Sequence, residues 1–106
     1  MAELRDVTDT DFESIVLAPG AALVDFWGEA CPACRQISPI LHALVDEYGD
    51  RVAIVKMNAH ENVATASRFG IRSMPTVLAF SDGNVVGQLQ GARPKSDFEA
   101  LIEKIL

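Results

Sequence analysis

Cysteine is scarce in this chain, with only Cys31 and Cys34 among 106 residues, and that scarcity excludes a disulfide-stapled scaffold. None is needed. A chain of this length with 49% hydrophobic residues is expected to form one domain, residues 1–106, with an adequate core of its own. Clustered lysine and arginine are missing too. The formal charge is −6 and the pI near 4.7, which argues against nucleic acid or an anionic membrane as partner, because phosphate binding draws on grouped basic side chains. Solubility is the plainer reason for the charge. No apolar stretch is long enough to cross a bilayer. Residues 1–20 are acidic and interrupted where a secretory leader has its basic and apolar regions. A cytoplasmic, reducing setting is therefore expected, in which neighbouring cysteines serve catalysis or metal binding more often than structure. Linkers, internal repeats and low-complexity segments are also absent.

What is present is a regular succession of apolar runs. Leu4–Val7 reads as a short first strand, and Thr8 with Asp11, or Thr10 with Glu13, offers a capping box for a helix ending near Val16. Pro19-Gly20 then breaks the chain. Residues 22–27 are apolar without alternation, the pattern of a strand covered on both faces. A long helix is expected from Pro32 to Tyr48, with Ile37, Leu41, Leu44 and Val45 at helical spacing, a kink at Pro39 and Gly49 as its C-terminal cap. Val52–Asn58 follows as a strand and Asn62–Phe69 as a shorter helix closed by Gly70. Thr76–Ser81 is a strand that turns at Asp82-Gly83-Asn84 into its hairpin partner Val85–Gln90. Ser96 with Glu99 resembles a capping box ahead of a final helix that turns Phe98, Leu101, Ile102 and Ile105 inward. Strands alternating with helices imply parallel crossovers, and the hairpin adds an antiparallel section. An α/β fold is expected, with a mixed sheet and helices on both faces.

The two cysteines follow the strand ending at Trp27 and open the long helix, the carboxyl edge where open α/β sheets place their sites. A bridge between residues three positions apart closes almost no loop and adds little stability. Its value lies in opening and closing. A helix start presents unpaired N–H groups and the positive end of a dipole, both of which favour a thiolate, so Cys31 is the expected nucleophile. Cys34, one turn inward, is placed to resolve a mixed disulfide formed on Cys31. Half of a zinc site is the competing reading. Zinc takes four ligands, or three and a water, and only His42 and His60 remain as further candidates, so no metal is expected. Asp25 is the second candidate. An acid inside an apolar run is costly unless paired, hydrogen-bonded or neutral, and desolvation should raise its pKa; a solvent-facing position on an edge strand is the alternative. Lys56 also interrupts an apolar strand, although a surface lysine at a strand end accounts for it almost equally well.

Val24-Asp25-Phe26-Trp27, the Cys-X-X-Cys followed by Arg35, Pro39, Lys56 with Asn58, Phe69-Gly70-Ile71-Arg72, Met74-Pro75-Thr76, Asp82-Gly83 and Gly91-Ala92 occur in a joint order and spacing. In these residues the chain resembles the thioredoxin family over essentially its whole length, and a Cys-X-X-Cys beside a βαβ pattern is itself a signature of that kind of protein. The resemblance implies the thioredoxin fold, a five-stranded mixed β-sheet flanked by four α-helices. It implies a protein-disulfide reductase with no bound cofactor, in which Cys31 attacks a substrate disulfide and Cys34 resolves it while Asp25 assists proton transfer through water. Lys56 would lie near that carboxylate and tune it. The oxidised protein would be recycled by a flavin-dependent thioredoxin reductase using NADPH. The resemblance also makes Met74-Pro75 the cis-proline loop beside the dithiol, with the Met74 backbone binding an extended substrate segment. Trp27, Pro32, Gly91 and Ala92 would form a flat apolar contact surface around Cys31; for Trp27 a place in the core is an equal reading. Disulfide-containing proteins and the reductase are the expected partners, and a monomer the expected state.

Three departures from the family pattern stand out. Pro32-Ala33 lies between the cysteines where Gly-Pro is usual, Ala30 stands where tryptophan is common, and the acidic residue common at the place of His60 is absent, although Glu61 follows it. Proline at the first intervening position frees the Ala33 N–H to point at the Cys31 sulfur. A more stabilised thiolate and a somewhat more oxidising dithiol are therefore expected, and Ala30 trims the apolar platform. A thiol oxidase or isomerase using that dithiol, and a non-catalytic binding module of the same fold, are the alternatives to a reductase.

Overall fold

Alternation along the strands decides which residues meet which layer of helices. In the computed structural model, which describes residues 3–106, the elements are β1 (Arg5–Asp6), α1 (Phe12–Ile15), β2 (Ala21–Trp27), α2 (Pro32–Tyr48), β3 (Val52–Asn58), α3 (Val63–Arg68), β4 (Thr76–Ser81), β5 (Asn84–Gln90) and α4 (Lys95–Glu103). They form one mixed sheet in the order β1-β3-β2-β4-β5. The pairings of β1 with β3 and of β3 with β2 are parallel, and those of β4 with β2 and β5 are antiparallel. On one face Leu23, Val52, Ile54, Val77 and Ala79 pack with Ile37, Leu41 and Leu44 of α2 and with Phe98, Leu101 and Ile102 of α4. On the other, Ala22, Val24, Phe26, Val55, Met57 and Phe80 pack with Phe12, Val16 and Phe69. Both faces of β2 are covered, as its unbroken apolar run requires.

The same period of two places the polar residues. Asp25 shares the parity of Leu23, Lys56 that of Ile54, and Asp6 that of Leu4, all members of the cluster beneath α2 and α4. Pairing register then sets Asp6 beside Lys56 and Lys56 beside Asp25 in adjacent parallel strands. Three charged residues thus line up on the α2 side of the sheet, near the carboxyl ends of their strands.

Where the elements differ from expectation, they differ at their ends. The first strand is Arg5–Asp6 rather than Leu4–Val7, although the Val7 N–H still donates to the Lys56 carbonyl at 2.8 Å. The first helix is a single turn starting at Phe12. Only half of the Thr8/Asp11 box forms: the Asp11 carboxylate takes the Thr8 N–H at 2.6 Å and the Thr8 hydroxyl at 3.2 Å, so the threonine oxygen does not cap the helix. The box expected from Ser96 and Glu99 does not form at all. The Asp97 N–H already donates to the Pro94 carbonyl, so the helix starts at Lys95 with Ser96 inside its first turn. Gly49 does end α2, but at φ −61°, where any residue fits. In the hairpin, Asp82 and Gly83 both have positive φ, 49° and 84°, the requirement of the tight two-residue turn that joins β4 to β5.

Candidate active site

Helix α2 begins where β2 has just delivered the chain to the sheet edge, and Cys31 is its N-cap. Cys31 and Cys34 are joined as a disulfide, with their Cα atoms 5.3 Å apart. The Cys31 sulfur accepts a hydrogen bond from the Cys34 N–H at 3.1 Å, the place of an ordinary capping oxygen. The donor is thus the third amide of the helix and not that of Ala33, so the extra bond expected from moving proline to position 32 is not made in the disulfide form. The sulfurs are unequal in access. Cys34 is 7% exposed, Cys31 is half-buried, and Pro32 beside it is exposed.

Asp25 is 4% exposed, on a central strand and not at an edge, and its Oδ1 has no hydrogen-bond partner. Burial pushes its carboxyl up to about 7; the Lys56 ammonium opposes that rise and the Asp6 carboxylate adds to it. Asp25 and Cys34 face a common cavity of about 120 Å³, also lined by Leu4, Trp27, Gly28, Arg35, Ser38 and Lys56. A liquid water occupies about 30 Å³, so the space is wide enough for water between the carboxyl and the inner sulfur. Lys56 is neither free at the surface nor paired with Asp25. Its ammonium lies 3.5 Å from Asp6 Oδ2 and 5.2 Å from the centre of the Trp27 ring. Trp27 is half-buried, and its indole N–H donates to Asp6 Oδ1 at 3.1 Å.

The far side of the disulfide is bounded by the loop before β4. The Met74-Pro75 peptide bond is cis, and the Met74 carbonyl lies 3.6 Å from the Cys31 sulfur. Gly91 donates its N–H to the Pro75 carbonyl at 2.9 Å and has φ +83°, a conformation that suits glycine. Gly91 and the exposed Ala92 therefore border the same loop. Residues not singled out in the sequence also belong here. Gly28 is required for space, because a Cβ there would lie 2.8 Å from the Met74 sulfur and 3.1 Å from the His60 ring. Asp6 of β1 and Leu4, just before that strand, reach the site. Ala30, already marked in the sequence as a departure from the family pattern, lies just before the disulfide and holds a left-handed φ of 53°. His42 and His60 are both exposed, and among the described residues no group of three or more His, Cys, Asp or Glu is placed to hold a metal ion. No helix among them is long and apolar enough to cross a membrane.

Comparison with known proteins agrees with this geometry. Residues 3–104 match the family model Thioredoxin. Thioredoxin from Haemophilus influenzae is 41% identical over 105 residues, covering 98% of each chain. Thioredoxin from Streptomyces clavuligerus is 46% identical over 94 residues, 88% of this chain and 87% of that one. The crystal structure of Malassezia sympodialis thioredoxin superposes with a TM-score of 0.91 at 27% identity, over 99% of this chain and 92% of that chain. Sequence, fold and a disulfide at the start of α2 agree: the chain belongs to the thioredoxin family of protein-disulfide oxidoreductases, which work by dithiol–disulfide exchange.

Proposed function

We propose that the protein is a reductant of protein disulfides, with Cys31 as nucleophile, Cys34 as resolving thiol and Asp25 as the group that takes the proton from Cys34. The observation that carries this reading is the shared cavity, which joins the buried sulfur of Cys34 to a carboxyl whose affinity for protons is raised to about 7. A base poised near the working pH transfers protons most effectively. In the forward reaction the Cys31 thiolate attacks one sulfur of a substrate disulfide, and the other leaves as a thiolate. Cys34 then gives up its proton to Asp25 through water and attacks Cys31. The second substrate thiol leaves, and the Cys31–Cys34 disulfide remains, two electrons having passed to the substrate. The difference in exposure supports the assignment, because an incoming disulfide meets Cys31 before Cys34.

The backbone of Met74, a half-buried residue, and the surface of Trp27, Pro32, Gly91 and Ala92 are proposed to hold an extended substrate segment beside Cys31, mainly through main-chain pairing. Lys56 is proposed to tune Asp25. Recycling is assigned to a flavin-dependent thioredoxin reductase using NADPH, with no cofactor on this chain, and the setting to a reducing cytoplasm with the protein as a monomer. The oxidase reading expects an Ala33 donor to the Cys31 thiolate; in the disulfide form the donor to that sulfur is Cys34. The test is reduction of insulin disulfides with NADPH and reductase. Turnover that disappears in Cys31→Ser is expected; partner binding with no turnover, indifferent to that substitution, would favour the binding module instead.

A further inference from the structure

Lys56, the cation that lowers the Asp25 carboxyl, is held by another carboxylate. Lys56 lies between Asp6 and Asp25 in the strand register, yet its ion pair is with Asp6, and Asp25 Oδ1 is left without a hydrogen-bond partner. Asp6 is bound on both oxygens, by the indole N–H of Trp27 at 3.1 Å and by the Lys56 ammonium at 3.5 Å. The lysine in turn covers the Trp27 ring. These contacts close a triangle on the solvent side of the cavity, where the Asp6 and Lys56 side chains are 53% and 32% exposed.

We propose that Asp6 is a positioning residue for the exchange site, anchoring the Lys56 ammonium and the Trp27 ring so that the lysine does not fold inward to pair with the Asp25 carboxyl beside Cys34. The inference rests on Asp25 as the proton carrier. A direct Lys56–Asp25 pair would hold the carboxyl ionised and acid-poised, too weak a base for the Cys34 thiol at neutral pH. Asp6 prevents this by competing for that lysine, and its own negative charge acts in the same direction. The other groups facing Asp25 come from α2, the Cys34 sulfur and Arg35. Its partner across β4 is the uncharged Val77. Trp27, a lining residue of the cavity, is fixed by the same anchor, so one exposed aspartate sets both the charge and one wall of the space.

Asp6→Asn separates these contributions, since its amide oxygen still accepts the Trp27 N–H while the charge is gone. In the oxidised protein the cysteines do not titrate, so the carbon-13 shift of the Asp25 carboxyl reports a single midpoint. The expected result is a fall of about one pH unit in Asp6→Asn, the lower end of what an opposite charge at close range produces. In a Lys56→Met background the same substitution should shift the midpoint by less than half as much. An unchanged midpoint in Asp6→Asn, or an equal shift with and without Lys56, overturns the proposal. The reading it rests on is judged separately. If Asp25→Asn resolves mixed disulfides with the wild-type pH profile, Asp25 is not the proton carrier, whereas the carboxyl midpoint still decides the role of Asp6.

Discussion

Replacing Asp25 with asparagine should stabilise the oxidised protein, and by an amount that depends on pH in a defined way. Asparagine has nearly the shape of the protonated acid but cannot ionise. The carboxyl rises from 3.8 to about 7 on folding, mainly because burial removes its solvation. Between these values the folded state binds more protons than the unfolded one, so stability falls as pH rises through the window from about 4 to about 7. A shift of roughly three units at about 1.4 kcal/mol each corresponds to about 4 kcal/mol, reached near pH 7 and constant above about pH 8. Asp9 and Asp11 have lowered values and act in the opposite sense, losing their contribution as pH falls, but they are common to both proteins and cancel in the difference. Urea denaturation of wild type and Asp25→Asn, disulfides intact, from pH 4 to pH 9 gives that difference directly. It should open from a small value near pH 4, widen to neutrality and then stay level. A difference that is flat across the range, or that widens toward acid, would refute the reasoning that burial of Asp25 opposes its ionisation.

Three further variants test other parts of the site. Ala30→Gly relieves a left-handed backbone and should raise stability by about 0.5–1 kcal/mol in the same denaturation experiment; a loss would show that the alanine methyl is needed by its surroundings. Gly28→Ala drives a methyl toward the Met74 sulfur and the His60 ring and should cost about 1 kcal/mol, since the Met74 end can move, while insulin reduction slows through a displaced Met74 loop. The double change Pro32→Gly/Ala33→Pro keeps the Cys34 N–H that bonds the Cys31 sulfur. It should leave the Cys31 thiolate titration, read by absorbance at 240 nm, within about half a unit of wild type on the scale of ordinary thiol shifts. A rise of a full unit or more would mean that the Ala33 N–H turns to the sulfur on reduction.

The long elements could be read from the sequence because their signals are local and repeated. The apolar run of β2 and the helical spacing of Ile37, Leu41, Leu44 and Val45 need no partner to be recognised, and the observed β3, β4 and α2 have the expected bounds. Asp25 was legible for the same reason, as an acid standing inside such a run. Element ends were less so, because their hydrogen bonds are made by distant residues. The start of α3 has no cap from its own Asn62 side chain; the Asp9 carboxylate supplies one, accepting the Thr65 N–H at 2.9 Å from 56 positions away. Asp6 left no sequence signal at all. It lies in a two-residue strand, and its meaning depends on Lys56 and Trp27, which only the sheet brings beside it. The Ala33 donor was expected for the Cys31 thiolate; in the disulfide the single capping sulfur takes the Cys34 N–H, and spacing alone does not say which of the two amides does so.

The most direct test of the account is to trap the intermediate it requires. Reduced Cys34→Ser, mixed with a protein disulfide substrate and digested for mass spectrometry, should accumulate a mixed disulfide at Cys31, because the group that resolves it is gone while the exposed nucleophile remains. Reduced Cys31→Ser should accumulate little, its remaining thiol being buried in the cavity with Asp25. Adducts formed as fast on Cys34 in Cys31→Ser as on Cys31 in Cys34→Ser would contradict the assignment of nucleophile and resolving thiol, and with it the proton path from Cys34 to Asp25.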